Sequence, residues 1–424
     1  MKKSLIKKIL LSTCISFSLI LSSSCSNKSS ANKIELWTMQ LKPTFEVYMN
    51  DLITSYKKEN PSIEIEWVDL PAKEIEQKAL TSIAGGKSPD IINLNPEFSS
   101  QLAELDTLAN LDEYVSKDVK DKYFKNIWDA SSFNKKTYGF PWYLSTSVVI
   151  YNKEIFKQAG LKEAPKTFDD LMTMGEVIKK KTGKYIYMPN FGDSGKILEL
   201  MAQEGIEIIS KDNKKAMFNT PDAEKFINFW IDLSKKGIIP QNSITQGHRE
   251  AIDKFQAGEV SMLLSGAQFL NIIKENAPQL YPKVDISSQI TGKSKKLSVK
   301  VMNLVIPKSS KNIEQSVKFA EYITNADNQL KFSKIVTILP SIIKSSKDEY
   351  FTKLSANPTL DERARKLSAE QLKDSVVLLP NPKKWIELRK NFDQYFQQAY
   401  LGQITAKDAL KKAEDDWNQI LNSN

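Results

Sequence analysis

The stretch from Lys33 to Asn95 allows few folds. Ile34-Glu35-Leu36-Trp37 alternates like a strand, and Pro43-Thr44 then opens a helix in which Phe45, Tyr48, Met49, Leu52, Ile53 and Tyr56 recur at helical spacing. Glu59-Asn60-Pro61 stops that helix. Ile63, Ile65 and Trp67 give a second strand, and residues 74–83 a second helix ended by Gly85-Gly86. Pro89-Asp90-Ile91-Ile92-Asn93-Leu94-Asn95 carries adjacent apolar residues, hence apolar side chains on both faces, as a buried parallel strand should. Strand–helix–strand–helix–strand means a parallel sheet with helical crossovers. Ligands in such sheets sit beyond the carboxyl ends of the strands, which singles out the loops Trp37-Thr38-Met39-Gln40 and Asn95-Pro96-Glu97-Phe98.

Helices around 99–105 and 118–128 lead to Tyr138-Gly139-Phe140-Pro141-Trp142-Tyr143-Leu144, then to Ser147-Val148-Val149-Ile150-Tyr151-Asn152. A Gly and a Pro interrupt the hydrophobic pattern there. The chain is expected to leave one lobe and enter a second at this point, with the aromatics lining the gap, and Asn152-Lys153-Glu154 opens the next helix. Thr167-Phe168-Asp169-Asp170 has capping-box form, for a helix ending near Thr182-Gly183. A short strand at 185–188, the loop Asn190-Phe191-Gly192-Asp193-Ser194-Gly195, and a helix capped by Thr220-Pro221 follow. Residues 258–264 and 299–306 read as strands. Gly266-Ala267-Gln268-Phe269 opens a helix, and the tail from Pro358 is almost wholly helical, broken by Leu379-Pro380-Asn381-Pro382 with Trp385 one turn later. The expected fold class is therefore α/β, two lobes of mainly parallel sheet flanked by helices.

The chain of 424 residues, 41% hydrophobic, can bury more than one core. Its first residues need no fold: Lys2, Lys3, Lys7 and Lys8 precede a short apolar run from Ile9 to Leu21, a secretory leader too short for a comfortable membrane span. Ser22-Ser23-Ser24-Cys25 resembles the lipobox of bacterial lipoproteins, with cleavage before Cys25 and acylation of its thiol, although Leu21 stands one place further away than usual. The competing reading is an ordinary leader cut near Ala31. Cys14 and Cys25 both lie at or before the cut, so the mature chain holds no disulfide although it works in a disulfide-permissive place. Four of the charges behind the net +9 belong to the leader. The remaining lysines are interspersed with acids, Arg is scarce, and no basic stripe with interleaved aromatics points to nucleic acid.

Several stretches together resemble the extracellular solute-binding proteins of ABC importers, in the maltose-binding-like family. They are Ile34-Glu35-Leu36-Trp37, Gly86-Lys87-Ser88-Pro89-Asp90-Ile91-Ile92, Tyr151-Asn152-Lys153-Glu154-Ile155-Phe156, Ala164-Pro165-Lys166-Thr167-Phe168-Asp169-Asp170-Leu171, Phe255-Gln256-Ala257-Gly258-Glu259-Val260-Ser261-Met262 and Pro340-Ser341. They keep the family's order over nearly the whole mature chain. The resemblance implies two periplasmic-binding-protein-like lobes joined by a hinge: 33–141 with 301–337, and 142–300 with 338–424. A leader at 1–24 and a lipidated tether at 25–32 would precede them. It further implies a membrane-anchored monomer facing outside the cytoplasm, no cofactor, and delivery of a carbohydrate, an oligosaccharide or related polyol, to a permease.

Sugar recognition needs aromatic faces for the C–H faces of a pyranose, and carboxylates or amides for its hydroxyls. Carried over by position, the family's ligand contacts fall on Trp37, Gln40, Asn95, Glu97, Trp142, Tyr143, Phe191, Asp193, Gln268, Asn303 and Trp385. Trp37 reads equally as strand-end core. Gln268 replaces an aromatic common in sugar binders, and Asn303 a common Gly. Trp67, Trp128 and Trp230 read as core, and Asp90 as a structural partner. A ferric ion, polyamine or peptide cargo, or a ligand-free structural protein, are the rival readings.

Catalysis finds little support. His248 is the single histidine, expected at an exposed helix start, so zinc sites and His-based triads lack their groups. Gly86-Lys87-Ser88 and Gly292-Lys293-Ser294 lack the earlier glycine of a phosphate loop. Ser55-Tyr56-Lys57-Lys58, Ser132-Phe133-Asn134 and Lys181-Thr182-Gly183 follow the order of penicillin-binding serine enzymes, but Ser55 falls at a helix C-terminus, where the dipole disfavours an alkoxide.

Overall fold

The computed structural model describes residues 33–423, so the leader and Cys25 lie outside the described residues. The strands are β1 (Lys33–Met39), β2 (Glu64–Leu70), β3 (Ile91–Leu94), β4 (Ser132–Phe133), β5 (Lys136–Thr137), β6 (Gly139–Asn152), β7 (Met262–Gly266), β8 (Val284–Ser288), β9 (Leu297–Val305), β10 (Leu339–Pro340) and β11 (Ser375–Val376). The opening run folds as its pattern dictates. β1, β2 and β3 pair in parallel, with Leu36 opposite both Trp67 and Ile91. The helix Glu46–Glu59 buries Met49, Leu52 and Tyr56 and ends at Asn60. β3 is buried along its whole length, as its two-faced apolar pattern requires.

Among the described strands, parallel pairing is confined to these three and the short β11–β9 contact; two isolated bridges, Thr167 to Thr291 and Tyr185 to Val260, are also parallel. The main sheet runs β10-β6-β9-β3-β1-β2, and β9 is antiparallel to both β3 and β6. The reason is directional: β6 carries the chain out of the first lobe, β9 brings it back, and neighbours running in opposite directions can pair only antiparallel.

The expected interruption at Gly139-Phe140-Pro141 is absorbed into one continuous strand of 14 residues. Pro141 faces Asn303 and Tyr143 faces Met302, so Trp142 is the extra residue of a bulge. A bulge is where a sheet tolerates proline. Gly139 lies so close to β9 that a Cβ would stand 2.9 Å from that of Asn303. Residues 139–146 of β6 pair with β9, and residues 147–152 pair with β7 and β8. One strand thus spans both lobes.

The buried side chains divide accordingly. Ile34, Met49, Trp128, Phe140, Trp142, Phe319 and Phe332 pack the first lobe. Val149, Phe156, Leu171, Trp230, Phe392 and Trp417 pack the second, with a neighbouring cluster around Ile150, Phe255 and Leu263. Leu144, Val299, Val301, Leu339 and Phe351 pack beneath the crossing strands. Ile342 belongs to the first-lobe cluster, Phe351 to the one beneath the strands and Ala364 to the second lobe. The tail holds β11, which its helical pattern hid, and residues 185–188 make one isolated bridge, Tyr185 to Val260.

Local signals held where a cap was at stake. Thr167 and Asp170 form a capping box, and Asn152 caps the helix Lys153–Ala159 through Glu154 and Ile155 N–H. The helix Phe168–Thr182 ends at Gly183 in the left-handed region, and Ser55 sits in the last turns of its helix, the places expected of both.

Candidate functional site

The gap between the lobes has a floor, two walls and a seam. The floor is one face of the crossing strands. Along β6, buried Trp142, Leu144 and Thr146 alternate with half-exposed Tyr143, Ser145 and Ser147. Tyr143 lies opposite Met302 and Ser145 opposite Lys300 on β9, and directly paired residues share a face. Ser145 Oγ donates to Gln268 Oε1 (3.0 Å) and Lys300 Nζ reaches Glu199 Oε2 (3.0 Å), both in the second lobe. Burial pushes the Tyr143 hydroxyl well above its ordinary value, and nearby Asp69 of the first lobe adds to this.

The first-lobe wall is built at strand ends. Asp69 accepts from Thr38 Oγ1 (2.6 Å) and from the N–H groups of Leu41 (2.9 Å) and Lys42 (3.0 Å), so the turn after β1 is pinned to the end of β2. Gln40 is exposed at its tip, in the left-handed region. Asn95 caps the helix Pro96–Glu104 by accepting from Phe98 N–H (2.8 Å) and donates to Glu76 Oε1 (3.1 Å). Burial raises the Glu76 carboxyl, the Asn95 bond opposes this, neighbouring Glu97 adds to it, and Arg389 from the other lobe opposes it.

The second-lobe wall is tied by carboxyl groups. Asp193 accepts from Asn190 Nδ2 and from His248 N–H (3.0 Å), capping the helix His248–Gln256. The approach is close enough that a Cβ on Gly247 would lie 2.4 Å from Asp193 Oδ1. His248 is half-buried rather than exposed: its Nε2 meets Ser265 Oγ at 2.9 Å and its ring stands edge-on to Phe269. Burial lowers its pKa, the Lys196 charge lowers it further, and Asp193 opposes. Burial works to raise the Glu199 carboxyl, but Lys196 and Lys300, with hydrogen bonds from Lys300 and Ser298, outweigh it and hold the group well below the usual range.

The seam closes over these walls. Asn381 Nδ2 donates to Pro96 O (3.3 Å) and contacts Ser100 Oγ, and Lys384 N–H donates to Glu104 Oε2 (2.9 Å). Trp385 lies there with Glu97, lining both a cavity of about 810 Å³ and another of about 520 Å³ between the lobes. A larger hollow, about 1050 Å³, is lined by first-lobe residues such as Tyr56, Tyr123 and Tyr322, away from the seam.

Of the expected residues, Glu97 and Trp385 line the cavities between the lobes, although Trp385 is 3% exposed and packs on Trp417; Gln40, Asn95, Asp193 and Gln268 stand at strand and helix ends, and Tyr143 on the crossing strand, its ring 5.4 Å from Phe332. Four expected ligand residues face elsewhere. Trp142 is 0% exposed, stacked on Phe332 at 4.8 Å, because the bulge turns it into the first-lobe core. Phe191 is edge-on to Trp230 and Phe396 in the second-lobe core. Asn303 is 0% exposed and accepts from Ser131 Oγ (2.8 Å), on the face of β9 opposite Met302. Trp37 takes its packing reading: it is buried, with Nε1 bonded to Glu35 Oε1 (2.6 Å). Asp90 is structural as expected, accepting from Glu35 N–H (2.9 Å) and bonding Ser310. Ser145, Glu76, Lys196, Lys300, Arg389 and Asp393 had not been picked out. The polar alternation Tyr143-Leu144-Ser145-Thr146-Ser147 could have revealed Ser145; the others are brought in by tertiary packing.

A sequence profile described as bacterial extracellular solute-binding protein matches residues 40–330. The chain belongs to that family. Among relatives of this solute-binding protein, an arabinooligosaccharide-binding protein of Bacillus subtilis is 25% identical over 312 residues, 71% of each chain. A candidate oligosaccharide periplasmic-binding protein from Synechococcus sp. MITs9220 superposes with a TM-score of 0.84 at 32% identity, covering 92% of this chain and 98% of the other. The cyclic α-maltosyl-1,6-maltose binding protein of Arthrobacter globiformis, 21% identical, shares the fold with a TM-score of 0.78 over 92% and 99% of the chains. The two-lobed periplasmic-binding-protein architecture is therefore that of the family. Among the described residues no helix is long and apolar enough to cross a membrane, and no cluster of three His, Cys, Asp or Glu side chains could hold a metal ion.

Proposed function

We propose that this solute-binding protein is the non-catalytic receptor of an ABC importer, a lipoprotein anchored through Cys25, which captures an oligosaccharide between its lobes and presents it to a permease as a monomer. The observation that carries the sugar reading is the gap itself. Neutral and charged hydrogen-bonding groups stand at strand and helix ends of both lobes and on the crossing strand (Gln40, Asn95, Ser145, Asp193, Gln268), and Glu97 lines the cavities between the lobes. A polyhydroxylated ligand needs many such directional partners. The sugars in the names of the relatives agree with it. Lobes tied by only a few hydrogen bonds at the seam suit a hinge whose closed population the ligand increases.

Glu76 and Glu97 in proximity favour a second reading, a cationic ligand such as a polyamine. One thermal-shift screen of the mature chain across oligosaccharides, polyamines and peptides separates the two. A ligand at 100 times its Kd should stabilise by about 2.7 kcal/mol. A shift with a sugar and none with spermidine supports the receptor as proposed; the reverse pattern replaces the cargo. Globomycin-sensitive processing and labelling by radioactive palmitate test the anchor, and loss of both on Cys25→Ala is expected.

A further inference from the structure

The crossing strands carry buried amides at both ends. Gln289, Gln329 and Gln371 are each 5% exposed or less, as are Ser298 and Ser341. Buried polar side chains persist where their hydrogen bonds are made. At the first-lobe end, the bulge takes Trp142 out of the β9 ladder. Ser341 Oγ donates to Pro141 O (2.5 Å) and stands 3.3 Å from Trp142 O. Gln329 holds Ser341 in turn: its Oε1 accepts from Ser341 N–H (2.6 Å), and its Nε2 donates to Ser341 Oγ (2.8 Å) and Thr324 O (2.9 Å). At the second-lobe end, β6 changes partner from β9 to β7 and β8 between Thr146 and Ser147. There Gln371 Nε2 donates to Ser147 O (2.9 Å), and its Oε1 accepts from Gln289 N–H (2.8 Å). The Gln289 carboxamide takes both backbone groups of Ser298 on β9: Ser298 N–H donates to its Oε1 at 2.8 Å, and its Nε2 donates to Ser298 O at 3.2 Å. A planar amide offers donor and acceptor side by side, so it stands in for the peptide group of a neighbouring strand.

We propose that Gln329 with Ser341, and Gln289 with Gln371, are positioning residues of solute capture: two buried clamps that keep the crossing strands rigid at their ends and confine the bend of lobe closure to the residues between them. The inference rests on the gap being the solute site. β10 pairs Leu339 with Leu144 and Pro340 with Tyr143 and runs directly into Ser341, so Tyr143 and Leu144 move with the first lobe. Ser147 and Ser298 move with the second, where Ser298 Oγ also donates to Glu199 Oε1 (2.9 Å). Between the clamps stand Ser145 and Thr146 of β6, opposite Lys300 and Val299 of β9. A hinge needs only a few residues that absorb the change in φ and ψ. Ser145 and Lys300 carry the floor contacts to Gln268 and Glu199, so the bend turns the floor as the lobes close. A buried network of satisfied amides is stiff, and losing one member leaves backbone groups without partners.

The test is pulsed electron paramagnetic resonance on the mature chain with Cys25→Ser, spin-labelled at Lys58→Cys and Lys225→Cys, one exposed helix position on each lobe. Distances are read in the free chain and with saturating maltotriose, arabinotriose or diacetylchitobiose. The chain with intact clamps should give a narrow distribution that shifts as a whole with a sugar that binds. Gln289→Leu and Gln329→Leu should fold and spread to about twice that width, and calorimetry should show about fivefold weaker binding, the loss of roughly one hydrogen bond. Gln289→Glu keeps the acceptor for Ser298 N–H and should fall between; it decides the case if the leucine variants do not fold. Leu171→Ala, a truncation in the second-lobe core, should lower the melting temperature and leave the width unchanged, which separates clamping from general stability. An unchanged width in the folded clamp variants, or equal broadening by Leu171→Ala, overturns the proposal. If no sugar binds or shifts the distance, the sugar reading fails, and the widths in the free chain still decide the role of the clamps.

Discussion

The two walls of the gap are built by different means. The first-lobe wall rests on backbone: the turn after β1 is pinned through Asp69 to two N–H groups, and Asn95 caps a helix at the end of β3. The second-lobe wall rests on side chains, with Asp193, Glu199 and Asp393 each joining elements far apart in sequence. The groups of the first-lobe wall stand at strand ends that the sheet itself sets, close in space to one another along β1, β2 and β3. Two of these carboxyls are pulled in opposite directions: Glu199 is held low by two lysines, Asp393 is held high by burial.

The largest effect should come from the first lobe. Trp142→Ala removes a fully buried ring stacked on Phe332 and should cost about 4 kcal/mol, read by denaturant or thermal unfolding. A variant that melts like the wild type but no longer binds would return Trp142 to the gap. Glu199→Ala should come next, about 2 kcal/mol, since it takes the carboxylate from the mostly buried Lys196 and the acceptor from Ser298, while exposed Lys300 is left to solvent. Because the folded-state pKa of Glu199 lies below its ordinary 4.5, its contribution is present above that value and is lost as the pH falls below it.

Asp393 has the opposite sign. Its folded pKa is raised from 3.8 to about 6, so the stability it contributes is full below about 3.8 and is lost as the pH rises through about 6. Asp393→Asn should flatten that part of the stability–pH curve and raise the unfolding free energy near neutrality by about 2 kcal/mol or less, once hydrogen bonds to the charged form are allowed for. The smallest effect belongs to the seam. Glu104→Ala removes the acceptor of Lys384 N–H and should weaken ligand affinity about fivefold, or about 1 kcal/mol, with little change in melting of the free chain.

Much of the fold was legible because it rests on local signals. The period switch between strand and helix marked β1 to β3, and Thr167, Asn152 and Gly183 placed helix ends where caps and left-handed residues demand them. What stayed hidden depends on partners distant in sequence. Gly139-Phe140-Pro141 looks like a break in isolation and becomes a bulge only because β9 lies alongside. That bulge decides which of Trp142 and Tyr143 faces the gap, and no spacing in the chain reveals it. Phe191 and Asn303 stand next to the gap in sequence but turn into cores that long-range packing creates. Asp393 acquires its role from a loop 198 residues earlier.

Whether the ligand rests on the crossing strands between the lobes can be asked at Ser145, half-exposed on the floor and opposite Lys300. Calorimetric titration of the mature chain with maltotriose, arabinotriose and diacetylchitobiose should give saturable binding for at least one. Ser145→Trp, which places a large ring on the floor, should abolish that binding while leaving the circular dichroism spectrum and the melting temperature close to wild type. Binding of the same sugar to Ser145→Trp with undiminished affinity would show that the solute is held somewhere other than between the two lobes.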